Sequence, residues 1–395
     1  MTTELETNLI YCGDNLEILA KLSEKSVDLI YADPPFFSNK QYEKIWGNGA
    51  EMKVYEDRWK GGINVYIEWM EERIWQCYRI LKDTGSMYLH CDWHANAHLR
   101  ILMDKICGEK NFRNEIIWCY SSPGIAKQKQ FTRKHDNILF YSKSNQWLFN
   151  IDNVRIPWTK IQDTIYTEGG KEYRKDLKGK LCPDWWTDIP SFGTATQSKE
   201  RTGYPTQKPE ALLARIIKAS SNKNDIVLDP FCGCGTTLAV AQQLSRKWVG
   251  IDVSPIACTL MKERLTKVGA TDIRIIGAPK TIEELKALEP FQFQNWVIDH
   301  IGGVPSPKKS GDMGIDGYTF MARDPIQIKQ SEGIGRNIVD NFETAIRREH
   351  KNTGYIIAFS FARSTYEEAA RAKLEDKLDI KLVKIDEIDK FFQIK

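Results

Sequence analysis

The amino-acid order predicts an α/β protein: a mainly parallel, twisted sheet with an inserted segment, and a second, smaller α/β unit at the C-terminus. Three observations carry this. Short apolar runs alternate with stretches at helical spacing up to about residue 142 and again over 209–267, the rhythm of parallel strands joined by crossover helices. From about 150 to 200 that rhythm fades into turn formers and charge. Finally, 395 residues suffice for at least two cores, and from near residue 275 a charged, cysteine-free tail starts a helix–strand pattern of its own.

The elements follow in order. NLIYC (8–12) reads as a strand, NLEILAKL (15–22) as a helix, and VDLIYA (27–32) as a strand ending in Asp33-Pro34-Pro35-Phe36. The helix-like IEWMEERIWQCYRIL leads to Gly85 and a strand SMYLHC; the helix HANAHLRILMDKI and the strands EIIWCY and NILFYS follow. After the insertion come PEALLARIIKAS, IVLD, TLAVAQQLSR, WVGID and a helix ending near 267. The expected division is 1–267, with a recognition segment at about 121–205, then a linker at 268–284 and a second unit at 285–395.

Composition bounds the function. With 42% hydrophobic and 28% charged residues the chain is ordinary globular protein, which excludes disordered, collagen-like and coiled-coil classes. No apolar run approaches the roughly 18 residues that span a bilayer. The N-terminus lacks a basic-then-apolar export pattern, so a cytoplasmic location without membrane partners is expected. Nine cysteines without CxxC spacing read as reduced thiols. Net charge is only +3, but residues 121–208 hold 15 Lys or Arg against 9 Asp or Glu, interleaved with Trp147, Trp158, Trp185 and Trp186. Cations for phosphate and rings for bases suit a nucleic-acid surface, with Lys171, Arg174, Lys175, Lys178 and Lys180 as candidates; a solvated loop-rich insertion is the alternative.

Two constellations carry chemistry. DIVLDPFCGCGTTLAVAQQL joins a buried-looking strand to a Gly-rich turn and a helix. Gly233 and Gly235 let the backbone approach a ligand, and Thr236 opens the helix where free amides point outward. The next strand ends in Asp252, 23 residues after Asp229, placed to bond both hydroxyls of a ribose. By itself this could be only a tight turn. The second constellation is Asp33-Pro34-Pro35-Phe36. Adjacent prolines fix the backbone, a carboxylate and the Pro34 carbonyl offer two acceptors, and Phe36 offers a ring. Such a cluster suits an aromatic exocyclic amine, whose lone pair is drawn out of conjugation to attack a methyl group. A rigid post-strand turn is the plain alternative.

Together, and in this order, the motifs resemble those of the S-adenosylmethionine-dependent DNA amino-methyltransferases in the β arrangement, from about residue 8 to 266. Gly13-Asp14, MYLHCD at 87–92, KHDNILFY at 134–141 and TGYPTQKPEALL at 202–213 also match. The resemblance implies a Rossmann-like methyltransferase that acts on double-stranded DNA and belongs to restriction-modification, with a homodimer or a cognate restriction enzyme as possible partner. It implies that Asp33 and the Pro34 carbonyl hold the target amine and that Phe36 stacks on a flipped-out base. It places Phe231, Gly233, Gly235 and Thr236 along the cofactor's methionine portion, with Lys208 nearby, Asp252 on its ribose and Asp14 on its adenine. Asp rather than Ser at position 33 favours adenine N6 over cytosine N4. Cytosine C5 chemistry lacks its Pro-Cys dipeptide, and Cys232 and Cys234 read as small fillers. His90, His94 and His98 suggest zinc by spacing, but without a fourth ligand they read as surface or capping histidines.

In the tail, a helix with Phe293-Gln294, a Gly-rich turn, Asp316, and Gln327-Ile328-Lys329 resemble the order of Mrr-like PD-(D/E)xK nucleases. The resemblance implies Mg²⁺ at Asp316 and Gln327, with Lys329 acting at the phosphate. Gln294 stands where that pattern usually carries Glu, leaving Asp316 as the one assigned carboxylate, so a Mg-dependent cutter and a non-cutting DNA-binding unit both stay open.

Overall fold

A computed structural model of the chain describes residues 5–38, 41–45, 51–56, 59, 61–120, 129–158, 165–168, 171–174, 178–192, 200, 206–279, 281–306, 314–319 and 322–392. The described residues of Met1–Lys40 and Asp57–Gly277 form one compact unit, and those of Gln41–Glu56 and Ala278–Lys395 another. The main sheet of the first unit holds nine strands: β1 (Leu9–Cys12), β2 (Val27–Ala32), β3 (Leu81–Cys91), β4 (Phe112–Cys119), β5 (His135–Ser142), β6 (Trp185–Trp186), β7 (Ile226–Asp229), β8 (Lys247–Asp252) and β9 (Arg274–Ile276). Its helices are α1 (Asn15–Lys21), α2 (Ile63–Ile80), α3 (Asn96–Met103), α4 (Glu210–Ser220), α5 (Thr236–Gln243) and α6 (Pro255–Lys267).

These strands form one sheet in the order β6-β4-β5-β3-β2-β7-β8-β1-β9. All neighbours run parallel except β5, which is antiparallel to both β3 and β4. The central strands are mostly apolar, as in sheets covered on both faces, and every residue of β7, its terminal Asp229 included, is buried. In α2, Tyr66, Met70, Ile74 and Cys77 recur at helical spacing and are buried in the core with Leu19, Ile30, Leu89 and Val249. Helix α6 starts at a Ser254 cap, whose hydroxyl accepts from the Ala257 amide at 3.3 Å, with Pro255 in the first turn.

Two details differ from expectation. Strand β3 begins at Leu81 instead of after Gly85, with a register shift against β2 between Val27 and Leu29. Gly85 is a close approach inside that strand: a Cβ there would lie 2.9 Å from the Asp28 carbonyl oxygen. The stretch read as a linker, 268–284, contains β9, which pairs parallel with β1, and the start of the next helix. The strand is only Arg274-Ile275-Ile276, too short a run to announce itself in the sequence.

The second unit contains α7 (Ile282–Ala287), α8 (Pro290–His300), β10 (Val304–Pro305), β11 (Gly317–Tyr318), β12 (Pro325–Lys329), α9 (Asn337–Arg348), β13 (Thr353–Ala358), α10 (Arg363–Glu375), β14 (Asp379–Lys384) and α11 (Ile388–Phe392). Its sheet runs β10-β11-β12-β13-β14, antiparallel at the first two pairings and parallel at the last two. Successive residues of β13 face opposite cores: Ile357 packs with Phe293 and Val297 of α8, Ile356 with Val339 and Phe342 of α9.

Gly235 supplies a test of the first unit's packing. It caps α5 with φ of 74°, and a Cβ there would meet Met261 Cγ at 2.6 Å. Gly235→Ala is expected to destabilise the protein by about 1–3 kcal/mol in urea unfolding, from left-handed backbone strain plus overpacking. A loss below about 0.5 kcal/mol would show that neither constraint operates.

Candidate active site

Strands β2 and β7 are parallel neighbours, with Leu29 opposite Val227 and Ile30 opposite Leu228. The loop after β2 and the turn after β7 therefore leave the same edge of the sheet side by side. Beyond them, β8 pairs with β7 and β1 pairs with β8. This brings Asp33-Pro34-Pro35-Phe36, Phe231 to Gly235, Asp252 and Asp14 to the C-terminal edge, where the sheet's two halves diverge and open α/β sheets bind ligands.

The Asp33 loop is held at several points. Lys208 Nζ lies 2.5 Å from Asp33 Oδ2, both side chains being mostly buried. Asp33 Oδ1 is also buried, yet has no hydrogen-bond partner. A buried carboxylate oxygen left open is costly unless something arrives to donate to it. The Tyr66 hydroxyl donates to the Pro35 carbonyl at 2.7 Å. Phe37, next along, sits at φ of 59°, a left-handed conformation unusual for a bulky residue. Its ring lies 5.6 Å from that of Tyr66.

Phe36 stacks on His90, ring centroids 5.5 Å apart and planes at 24°. His90 has no exposed surface. Its Nδ1 is 2.7 Å from the Tyr31 hydroxyl and its Nε2 is 3.2 Å from Asp136 Oδ2. This corrects the reading of His90 as a surface or capping histidine: it is the penultimate residue of the interior strand β3, where its ring meets Phe36 of the Asp33 loop. His98 is exposed, as read, while His94 is half-buried with its Nδ1 2.7 Å from Asp92 Oδ2, and no side chain caps α3. Among the described residues the one acidic or histidine group spaced for a metal is Asp340, Glu343 and Glu368, in the second unit.

The turn after β7 is fixed by two carboxyls, the buried Asp229 and the part-buried Asp252. Asp229 accepts from the Phe231 amide at 2.9 Å and the Thr237 hydroxyl at 2.5 Å. Asp252 accepts from the Gly233 amide at 2.8 Å and the Ser254 amide at 2.9 Å. Burial pushes Asp229 up to about 7 and Asp252 up to about 6, despite these hydrogen bonds. Asp14 caps α1 through the Leu16 amide at 2.7 Å and pairs with Arg73 at 2.8 Å. Asn15 donates to the Pro230 carbonyl at 2.8 Å and accepts from Arg73 Nε at 2.7 Å, so the turn after β1 is tied to the turn after β7.

Of the residues assigned from sequence, Asp14, Asp33, Pro34, Pro35, Phe36, Asp229, Phe231, Gly233, Gly235 and Asp252 share one sheet edge. Lys208 joins the Asp33 side, not the glycine turn alone. Thr236 is buried, and its hydroxyl accepts from Arg264 at 2.9 Å. Lys171 and Arg174 lie on a two-stranded ribbon, Lys178 pairs with Asp152 at 2.6 Å, Lys180 is exposed, and Lys175 lies outside the described residues. Arg73, Tyr66 and Asn15 escaped the sequence reading; the one available signal was Arg73 on the buried stripe of an amphipathic helix.

A glycine turn at the carboxyl edge of a doubly wound sheet, beside a buried carboxylate with an open oxygen, defines a group-transfer enzyme. Residues 27–263 match the DNA methylase family, and the chain belongs to it. Curated relatives include the Type II methyltransferase M.HpaI of Haemophilus parainfluenzae, 31% identical over 74% of this chain and 84% of that protein. Another is the DNA adenine methyltransferase YhdJ of Escherichia coli, 33% identical over 63% of this chain and 79% of its own length. Among solved structures, the cytosine-N4-specific PvuII methyltransferase gives a TM-score of 0.47 at 18% identity, over 67% of this chain and 93% of that one. The M1.HpyAVI–SAM complex gives 0.42 at 23% identity, over 65% and 98%. No helix among the described residues is long and apolar enough to cross a membrane.

The two raised carboxyls predict a pH effect on the ligand-free protein. From about pH 4, where an ordinary Asp titrates, up to their folded values, the folded chain keeps protons that the unfolded chain has released. Their contribution is full below that window and is lost as pH rises through it. Asp229→Asn should therefore show a smaller fall in Tm between pH 4 and pH 7 than the unaltered protein in thermal melts. An equal fall would show that Asp229 ionises as readily in the folded chain as in the unfolded one.

Proposed function

We propose that the chain methylates adenine N6 in duplex DNA with S-adenosylmethionine as methyl donor, as the modification activity of a restriction-modification pair. The observation that carries this is the buried, unpartnered Oδ1 of Asp33. An exocyclic amine offers the donor that this atom lacks, and Asp in that position favours adenine over cytosine. The likeness to an adenine methyltransferase agrees with it.

The residues at the edge fit the donor molecule. The backbone at Gly233 turns at φ of 52°, Phe231 offers a ring, and Asp252 and Asp14 each carry an acceptor at the rim. When bound, S-adenosylmethionine supplies an electrophilic methyl group. The chain's own residues do the rest. Lys208 pairs with Oδ2, which leaves Oδ1 to face the amine. The amine donates to Oδ1 and to the Pro34 carbonyl, which localises its lone pair for attack. After transfer, Oδ1 receives the proton that the nitrogen sheds. Phe36 stacks on the extruded base, compensating part of the few kcal/mol of unstacking. Lys178 and Lys180, with Lys171, Arg174 and Lys175, would contact phosphates outside the pocket.

For the second unit we propose a PD-(D/E)xK-like scaffold used to bind DNA. Gln294 Nε2 donates to the Asp316 carbonyl at 3.3 Å, so the helix residue and the strand residue do meet. Asp316 Oδ2, however, accepts from the Ile328 amide at 2.6 Å, while Gln327 Oε1 is buried without a partner. One engaged carboxylate and two neutral amides fit a hard divalent ion poorly, so no hydrolytic step is assigned to Mg²⁺ or to Lys329 there.

Nucleoside analysis of DNA from a host expressing the chain should show N6-methyladenine; N4-methylcytosine in its place would move the reading to cytosine. Asp33→Ala should cost more than tenfold in methyl transfer, that is, at least about 1.4 kcal/mol, while leaving donor affinity within about twofold by calorimetry. Retained activity would remove Asp33 from the reaction. Plasmid incubated with Mg²⁺ and no donor should stay intact. Cutting that disappears in Asp316→Ala would establish a nuclease instead.

A further inference from the structure

We infer that His90 is a positioning residue for base capture: it sets the plane of Phe36 and so the platform on which the target base stacks. The inference rests on the reading of Phe36 as the base-stacking ring. A ring has two faces, and stacking on His90 occupies one of them; a base would take the opposite face, whose angle is then inherited from His90.

His90 is built to hold an angle. A buried imidazole bound at one nitrogen can still swivel about that bond; bound at both, its plane is fixed. Asp136, ionised, can only accept, so Nε2 carries a hydrogen and donates to it, while Nδ1 shares a hydrogen bond with the Tyr31 hydroxyl. Both partners are themselves fixed. Asp136 Oδ1 accepts from the Tyr120 hydroxyl at 2.9 Å, and Tyr31 lies within buried strand β2. Although burial raises it, hydrogen bonds from His90 and Tyr120 and the charge of Lys208 hold the Asp136 carboxyl below the usual carboxylate range. The Trp118 ring meets His90 edge-on, centroids 5.9 Å apart at 87°. Three strands thus converge on one imidazole: β2 through Tyr31, β4 through Trp118 and β5 through Asp136. Lys208, 4.9 Å from the centre of the Phe36 ring, links the same platform to Asp33. A cheaper core filler here would be apolar, since a buried polar ring brings desolvation costs that packing alone does not require. What the polar ends add is orientation, and misplacement by about 1 Å can cost on the order of 100-fold in rate.

A double-mutant cycle tests this on the full chain, with tritiated S-adenosylmethionine and unmodified DNA in single turnover. His90→Gln keeps amide groups for Tyr31 and Asp136 but removes the ring under Phe36. It should lower the rate about tenfold with donor affinity within about twofold. Phe36→Ala should lower the rate at least as much, and adding His90→Gln to it should cost no more than about twofold further, because nothing is left to position. A purely structural His90 would give losses that multiply. A His90→Gln rate within twofold of the unaltered enzyme, or multiplying losses, overturns the inference and leaves the role of Phe36 standing. An unchanged rate in Phe36→Ala instead removes the base-stacking reading itself. If His90→Gln fails to bind donor, Tyr31→Phe takes its place in the cycle: about a threefold loss that vanishes beside Phe36→Ala supports the inference, and multiplying losses sink it.

Discussion

The first unit depends on the parallel pairing of β2 with β7, which joins segments almost two hundred residues apart. Asp28 reinforces that pairing from below. Its carboxylate accepts from the Ile226 amide at 2.9 Å and from Lys82 at 2.8 Å, holding β2, β3 and β7 together at their entry ends. At the exit ends, the Asn15 amide on the Pro230 carbonyl adds the turn after β1. Neither loop is rigid by its own chemistry. Prolines constrain one and hydrogen-bonded glycines shape the other, but their mutual placement is a property of the sheet. A carboxylate with one open oxygen is tolerable inside a protein only where such a frame stops the loop from relaxing outward.

Much of this was legible in the sequence because its signals are local. IVLD and VDLIYA read as buried parallel strands on composition, and the glycines and prolines after them mark where each strand must stop. The unread parts are those decided by partners far along the chain. His90, His94 and His98 recur at four-residue intervals, which describes a helix face and says nothing of a residue buried near the end of a strand. The Lys208–Asp33 pair spans 175 residues and sits beside a proline-rich stretch with no periodicity. Two-residue β6 and three-residue β9 take their identity from neighbouring strands alone.

The second unit shows the same division. The order helix, turn, strand, strand, helix could be read, and the sheet has that order. Whether Asp316, Gln294 and Gln327 act together depends on register. That register turns the carboxylate of Asp316 onto the amide of Ile328, where it braces the β11–β12 hairpin. A carboxylate engaged in bracing has less charge to offer elsewhere, and no sequence pattern reports which of the two tasks it performs.

The attachment of residues 178–192 has a consequence for what can change without disturbing the rest. This segment meets the sheet at its outermost position: Trp185 and Trp186 pair with Ile117 and Trp118, and the Ile189 carbonyl accepts from Trp118 Nε1 at 2.8 Å. One further tie is Arg215 with Asp188 at 2.5 Å. An edge strand can be exchanged without altering the register of any strand inward of it. A change confined to this margin would therefore leave the register at the sheet's centre, and the residues gathered at its C-terminal edge, where they are.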